Sequence, residues 1–385
     1  MKWDLYDDLV NPHSVYRWLR DEAPVYKTPR YGLYVLSRYA DVSAALLDHA
    51  TFSSRLAAFP KPEHLPLVNM DPPKHDELRA IVGRPFLPRE VAKLESSIRE
   101  IVVRRLGELA KKHWGDFVTD FAEIVPSDVI GGMLGVPEPD RRRLRRWAGD
   151  FLSRDPGEPA APQRAIAAID SLKQYFIAMR PEREAQPCDD LITTIAQAKV
   201  RGARFSDHDY GALCAMIAVA GYETTTHLIT HSLLELFRHP EQRTWLRDHP
   251  EGIPNAIKEV VRYDSPVPFA GRTVTRDVQT HSTVIPKGSA AVLILASASR
   301  DERRYVEPDR FDVRRDDTDG VGFGQGRHTC FGAPLARLEA RVVLEEVLRR
   351  FPVYEVDESS LVPLGPAEAT GYQHMRIRLG HDMTA

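Results

Sequence analysis

The chain has 385 residues, 43% of them hydrophobic and 28% charged, with a formal net charge of −3. That balance fits a cytosolic globular protein with a core large enough to enclose a sizeable ligand, and it gives no electrostatic case for nucleic acid or an anionic membrane. Three cysteines, Cys188, Cys214 and Cys330, lie far apart, which argues against a disulfide framework and leaves no Cys-x-x-Cys metal or haem-attachment motif.

Met1 to Val10 carries acidic residues where a signal peptide would have a basic start and an apolar run, and no stretch approaches about 18 uninterrupted apolar residues. A cytoplasmic protein with no membrane segment is expected. Pro24 to Leu36 mixes β-branched and aromatic residues with Pro and Gly, which predicts a hairpin. From Pro88 to Arg238 apolar residues recur at three- and four-residue spacing, most clearly over Ile98–Leu109 and Ala165–Met179, so this region reads as helical. The run Arg141 to Arg146 (RRRLRR) has Glu138, Asp140 and Asp150 beside it and reads as a solvated helix face. Asp155–Pro162 (DPGEPAAP) reads as an exposed connection. A long helix is expected to start at Ser206, with Asp209 three residues on as a capping-box-like partner, and to end near His239-Pro240. Gly221 in its middle costs about 1 kcal/mol relative to Ala and invites explanation, close helix packing being the plain one. Short strands return after Pro266, followed by a loop-rich stretch from Ala298 to Gly326. A last helix runs from about Gly332 to Arg350, before a strand-like tail. No linker divides the chain. The expected fold is mainly α with small β-sheets (α+β), a single helix-rich domain over residues 1–385.

The most informative segment is Phe323 to Arg337, FGQGRHTCFGAPLAR. Gly324, Gly326 and Gly332 surround Cys330 just before a helical pattern, and glycine serves where the backbone needs positive φ or must lie close to a ligand. A thiolate at a helix N-terminus is stabilised by backbone N–H groups and the helix dipole. Arg327 and His328 are donors for an acidic cofactor group. A glycine-rich turn around a buried cysteine is the plain alternative, and a nucleophilic cysteine is another, although no His and Asn partner pattern accompanies it. Cys188 and Cys214 read as small buried hydrophobes.

This segment resembles the haem-binding loop of the cytochrome P-450 superfamily, Phe-Gly-x-Gly-x-His/Arg-x-Cys-x-Gly, with every fixed position filled. The likeness runs from Asn11-Pro12 to the C-terminal strands. It implies the cytochrome P-450 fold enclosing haem b, with Cys330 as sulfur ligand to the iron, where a thiolate favours O–O cleavage. Phe323, Gly324 and Gly332 then belong to the haem-contacting loop. Glu259 and Arg262 in Glu-Val-Val-Arg share a helix face, and with Arg310 of Pro-Asp-Arg-Phe they match the family's structural lock beside the haem. In Ala-Gly-Tyr-Glu-Thr-Thr (220–225) the resemblance implies a local widening of the distal helix at Gly221, with Glu223 and Thr224 as an acid–alcohol pair that delivers protons to the oxygen being reduced. His75 and Arg79, four apart and so on one helical face, match haem-propionate donors, as do Arg272 and His328; charge-assisted bonds from Arg and His suit two carboxylates. Family positions for the substrate pocket are Leu67, Val68, Met216, Val219, Ala220, Phe269 and Ala270, whose apolar character fits a largely hydrophobic substrate.

The function implied is that of a soluble bacterial-type monooxygenase. It uses O₂ and two electrons, drawn from NAD(P)H through a separate ferredoxin and ferredoxin reductase, to hydroxylate, epoxidise or dealkylate a small molecule of secondary metabolism. A monomer is expected, with no nucleic-acid or membrane partner. Asp155–Pro162 falls where the family has a mobile lid. Two alternatives stand beside this reading: a peroxide-dependent peroxygenase, which commonly lacks the acid–alcohol pair, and a non-catalytic haem sensor or carrier.

Overall fold

The computed structural model describes residues 3–5, 12–57, 65–155, 161–364 and 369–384. Asn11, most of Met1 to Val10 and the centre of Asp155–Pro162 lie outside them, so the expectations placed there are not addressed by the fold.

Helices make up most of the described residues, with small sheets towards both ends of the chain. The central helix, Asp207–Arg238, begins where its cap predicts: the Ser206 side chain accepts from the Asp209 N–H at 3.0 Å. It is continuous up to His239, and Pro240 opens the next helix. Its composition and length would allow it to cross a bilayer, but most of its apolar window is buried inside the protein. Against it pack Gln163–Ala185, Ile124–Leu134, Glu138–Leu152 and Ala333–Arg350. The two clear periodic stretches are realised. Ile98, Val102, Leu106 and Leu109 are the buried stripe of Glu95–Ala110, and Ala165, Ala168, Ile169, Leu172 and Phe176 are buried on Gln163–Ala185.

The region from Pro88 to Arg238 is not wholly helical. Gly115–Asp116 joins as a strand to the hairpin Tyr354–Pro363/Tyr372–Leu379, and Lys199–Val200 pairs with Ala203–Arg204. These pieces are two residues long, too short to carry a period-two signal. The predicted hairpin forms with Val25 opposite Leu36 and Lys27 opposite Tyr34. Tyr34–Leu36 then pairs in parallel with Ala290–Leu293, which is antiparallel to Ala270–Val274, and Phe52–Ser53 closes that edge. This sheet delivers Arg272 and Ala270 to the site, while Ala333–Arg350 carries Cys330 at its entrance.

Candidate active site

The cysteine loop is shaped by two left-handed glycines, Gly324 (φ +70°) and Gly326 (φ +68°). It closes on itself through Cys330 N–H to the Phe323 carbonyl at 2.8 Å and Gly324 N–H to Val321 at 2.8 Å. Cys330 is accessible, and the surface it presents forms part of the wall of an internal cavity of about 310 Å³. Burial raises its thiol above the usual range, and the backbone N–H groups of Gly332 and Ala333 with Arg79 and Arg337 pull the other way. A thiolate pre-formed by the helix start was expected; in the protein alone desolvation wins, and a metal ion supplies what deprotonates a coordinating thiol outright.

His75, Arg79, Arg272 and His328 all line this cavity. The His75 and His328 rings lie 4.2 Å apart, His75 Nδ1 is 2.8 Å from the Asp76 carboxylate, and His328 Nε2 is 2.9 Å from Ser54 Oγ. Arg79 donates to the Thr329 carbonyl at 2.7 Å and lies over the Phe331 ring. Arg272 is 7% exposed, and among the described residues its guanidinium donates only to its neighbouring carbonyl, Gly271, at 2.7 Å. Burial pushes the Arg272 guanidinium down to about 10, opposed by the charge of Asp71. His328 is driven down to about 3, first by burial and then by the positive charges of His75, Arg272 and Arg79. Among the described residues no carboxylate lines the cavity. Asp71, held by Ser53 Oγ at 2.5 Å and Ser54 N–H at 2.9 Å, sits behind the cationic groups. Sequence reasoning did not single out Ser54, Asp71 or Asp76 as site residues, since their polar contacts depend on tertiary placement.

On the central helix Met216, Ala220, Gly221, Thr224, Thr225 and Leu228 line the cavity. Val219 does not line it: it lies on the opposite side of Ala220 from Gly221 and packs in the core. Phe269 is likewise turned away, packed in the cluster around Trp3 and Tyr16, because the strand alternates and Ala270 and Arg272 take the cavity side. Leu67, Val68 and Ala270 line the cavity as expected, and Pro266, Val267 and Leu295 join them. The Thr224 hydroxyl donates to the Ala220 carbonyl at 3.0 Å. Glu223 is 8% exposed and faces away from the cavity, with its carboxylate 3.2 Å from His227 Nε2. The expected widening at Gly221 is absent, since the helix stays α-helical through it. A Cβ there would meet Ile130 at 2.7 Å, so the glycine allows close helix packing, and it also lines the cavity where a cofactor contact was expected.

Glu259 and Arg262 are fully buried and paired at 2.7 and 2.8 Å. Arg262 also donates to the carbonyls of Ser299 (3.0 Å) and Pro308 (2.8 Å). The third member of the lock is Arg315, 3.2 Å from Glu259, and not Arg310. The Arg310 side chain is 56% exposed and pairs with Glu307 and Asp312; only its carbonyl accepts from Arg262. The motif locates the turn correctly, but the turn directs that side chain outward.

A sulfur on the wall of an apolar cavity, with the buried Arg272 guanidinium and further Arg and His donors on the same wall, suits a large flat ligand that carries a metal and two carboxylates. Haem fits these residues. Fold and site together define a haem-thiolate oxygenase. A family model described as Cytochrome P450 matches residues 253–367. Cytochrome P450 130 of Mycobacterium tuberculosis is 39% identical over 374 residues, 91% of each chain. Putative cytochrome P450 123 of Mycobacterium bovis is 33% identical over 381 residues, 97% of this chain and 95% of that one. Among solved structures, a mutant of P450 EryK in complex with erythromycin B aligns with TM-score 0.91 at 32% identity over 98% and 99% of the two chains. CYP109E1 from Bacillus megaterium with testosterone gives 0.89 at 30% identity over 96% and 98%. The chain belongs to the cytochrome P450 family and is a haem-binding monooxygenase that uses O₂, with NAD(P)H as the ultimate reductant through redox partners.

Proposed function

We propose that this enzyme takes electrons from a ferredoxin and its reductase and inserts oxygen into an uncharged, hydrophobic small molecule of secondary metabolism. The carrying observation is one cavity with Cys330 and Thr224 on its wall, lined on the central helix by Met216, Ala220 and Leu228. Haem, when bound, supplies activation of O₂ and transfer of one oxygen atom to the substrate. The protein's own residues do the rest. Cys330 supplies the sulfur ligand. His75, Arg79, Arg272 and His328 hold the two carboxylates by charge-assisted bonds and fix the orientation of the group. Phe323, Gly324 and Gly332 shape the loop beneath it, and Gly221 lets the central helix approach Ile130. Leu67, Val68, Ala270, Pro266 and Val267 exclude water and orient the substrate by shape. Thr224 holds a proton at its hydroxyl and passes it to the reacting oxygen, and Glu223 renews it.

Residues 1–385 act as one haem-enclosing, monomeric, cytoplasmic unit in this reading. Similar proteins hold erythromycin B and testosterone, and another, CxnD, is named for C–S bond formation in chuangxinmycin biosynthesis, which supports a bulky natural product as substrate. The test is a screen of macrolides, steroids and fatty acids for a shift of the ferric Soret band, followed by turnover of the strongest binder. Product is expected with NAD(P)H, ferredoxin and reductase under air. Product with hydrogen peroxide alone and none with the electron chain overturns the O₂ route; haem binding without product by either route overturns catalysis.

A further inference from the structure

Beside the cavity-lining row of the central helix runs a second row. Glu223, His227, His231 and Glu235 recur every four residues, so they stack on one face at steps of about 6 Å. All four are buried, at 8%, 2%, 1% and 3% exposure. Such groups are rarely buried without partners or a task. His227 Nε2 lies 3.2 Å from Glu223 Oε1. The His227 and His231 rings stack with centroids 6.4 Å apart and planes inclined by 30°. His231 Nδ1 is 3.0 Å from the Asp264 carbonyl and 3.6 Å from its carboxylate, and the Asp264 side chain is 27% exposed. The row thus starts next to Thr224 and ends at solvent.

His227 Nδ1 is buried with no hydrogen-bond partner among the described residues. Gly371 packs against it so closely that a Cβ there would fall 2.2 Å from that nitrogen. The charged and titratable groups around the row are few. Glu123 faces Glu223 from the segment before Ile124–Leu134, with Arg145 at 3.9 Å, and Tyr222 and Asp116 nearby. Burial, then the charge of Glu223, holds the Glu123 carboxyl above its usual range. Tyr372 meets His231 edge-on at 6.0 Å, and Glu235 pairs with Arg238 at 3.0 Å and His239 at 3.7 Å.

We propose that Glu223, His227, His231 and Asp264 form a proton-supply path along the central helix, connecting solvent to the Glu223–Thr224 pair. The proposal rests on the reading of that pair as the proton-delivery group. When Glu223 gives up its proton towards Thr224 it becomes a carboxylate, and the His227 imidazolium returns one proton and becomes neutral. His231 recharges His227 and is itself recharged from solvent past Asp264. Each transfer moves one proton; His227 gives from Nε2 and is left with a proton on Nδ1, so a tautomer exchange resets the ring between passages, and two passages supply the two protons that leave with one oxygen atom as water.

The test uses haem-loaded protein with ferredoxin, reductase and the strongest binder from the Soret screen, comparing His227→Asn, His231→Asn, Glu123→Gln and Thr224→Ala. Asn keeps a hydrogen-bonding side chain of similar bulk without a titrating ring, and Gln at the same two positions provides a second set if haem loading falls. Each His variant is expected to lower product formed per NAD(P)H consumed by about tenfold, with a larger solvent deuterium isotope effect, while Glu123→Gln stays within about twofold. A second readout is independent of turnover: the infrared carboxyl band of Glu223 in the carbon monoxide complex, assigned by its loss in Glu223→Gln. The band is expected to change frequency in His227→Asn, which loses the 3.2 Å contact to the carboxylate. Unchanged coupling in both His variants, or loss of coupling in Glu123→Gln alone, overturns the path, as does a Glu223 band that is the same in parent and His227→Asn. Unchanged coupling in Thr224→Ala refutes the underlying reading instead, so the two failures are distinct.

Discussion

Replacing Arg272 with Leu should have opposite effects on the empty and the haem-loaded protein. The guanidinium is buried, donates among the described residues only to the neighbouring Gly271 carbonyl, and is pushed down from its ordinary value to about 10 by burial. At 1.36 kcal/mol for each pH unit this corresponds to a burial cost of about 3 kcal/mol in the empty protein. A base whose folded value is depressed costs stability below its folded value, so the whole cost is present at pH 7. Removal of the charge should therefore stabilise the haem-free protein by about 1–3 kcal/mol, part of the gain being lost because Leu fills the space imperfectly. In the loaded protein the same change removes a charge-assisted bond to a carboxylate, worth about 1.5–3 kcal/mol, or roughly a 10- to 150-fold faster loss of haem. The assays are urea unfolding of the haem-free protein followed by far-UV circular dichroism, and haem transfer to excess apomyoglobin followed at the Soret band. If Arg272→Leu destabilises the haem-free protein and leaves haem transfer unchanged, Arg272 is a structural residue and the reasoning fails.

The lock at Glu259 should discriminate two arginines. Arg315→Met, which loses the 3.2 Å contact to a fully buried carboxylate, is expected to cost about 2–3 kcal/mol in urea unfolding, and Arg310→Ala, which loses exposed pairs, at most about 1 kcal/mol. Glu339 is fully buried with neither carboxyl oxygen hydrogen-bonded among the described residues, and burial raises it well above its usual range. An acid raised in the folded state contributes its full stability below its unfolded value and loses it as pH rises towards the folded one, so Glu339→Met should stabilise by about 1–3 kcal/mol at pH 7 and progressively less towards pH 4. A neutral-pH loss of stability would mean that the carboxyl has partners. Gly221→Ala should lower the unfolding midpoint, since its Cβ would sit 2.7 Å from Ile130, and a paired Ile130→Val should recover part of the loss. Cys330→His, loaded with haem, reduced and treated with carbon monoxide, should lack the strongly red-shifted Soret band of thiolate ligation that the parent shows.

What could be read directly from residues was local or periodic. The cysteine loop announces its backbone through its glycines, the central helix announces its start through Ser206, and the amphipathic stretches around Ile98 and Ala165 announce their buried faces. Two pocket positions failed for different reasons: Phe269 would have been excluded by the strand alternation applied to Ala270, whereas Val219, three residues from Met216, shares its helical face by period and is kept from the cavity only by tertiary packing. Arg310 failed because a motif fixes where the chain turns and says nothing about which of two nearby arginines points inward. The Cys330 thiol depends on desolvation by segments distant in sequence, which no local pattern encodes. The row Glu223, His227, His231, Glu235 is legible as a four-residue repeat of titratable residues in an otherwise apolar helix, while its burial depends on segments distant in sequence.

Buried polar groups in this protein fall into two kinds, and the division separates architecture from chemistry. Glu259, Arg262 and Arg315 satisfy one another and the carbonyls of the turns around them, so nothing is left for a ligand to add. Arg272 is buried at the cavity and its guanidinium makes, among the described residues, one bond, to its own neighbour, while His328, partnered by Ser54, is held neutral first by burial and then by the cations around it. Burial without a charged partner costs about 1–3 kcal/mol for Arg272, a cost that the protein carries until a dicarboxylate arrives. Lack of satisfaction alone is not the criterion, because Glu339 is equally orphaned and does not line the cavity. A group that is both unsatisfied and open to the cavity is one whose partner is supplied from outside the chain. On that ground Arg272 belongs to the haem, whereas the Glu-x-x-Arg pair, equally prominent in the sequence, belongs to the fold.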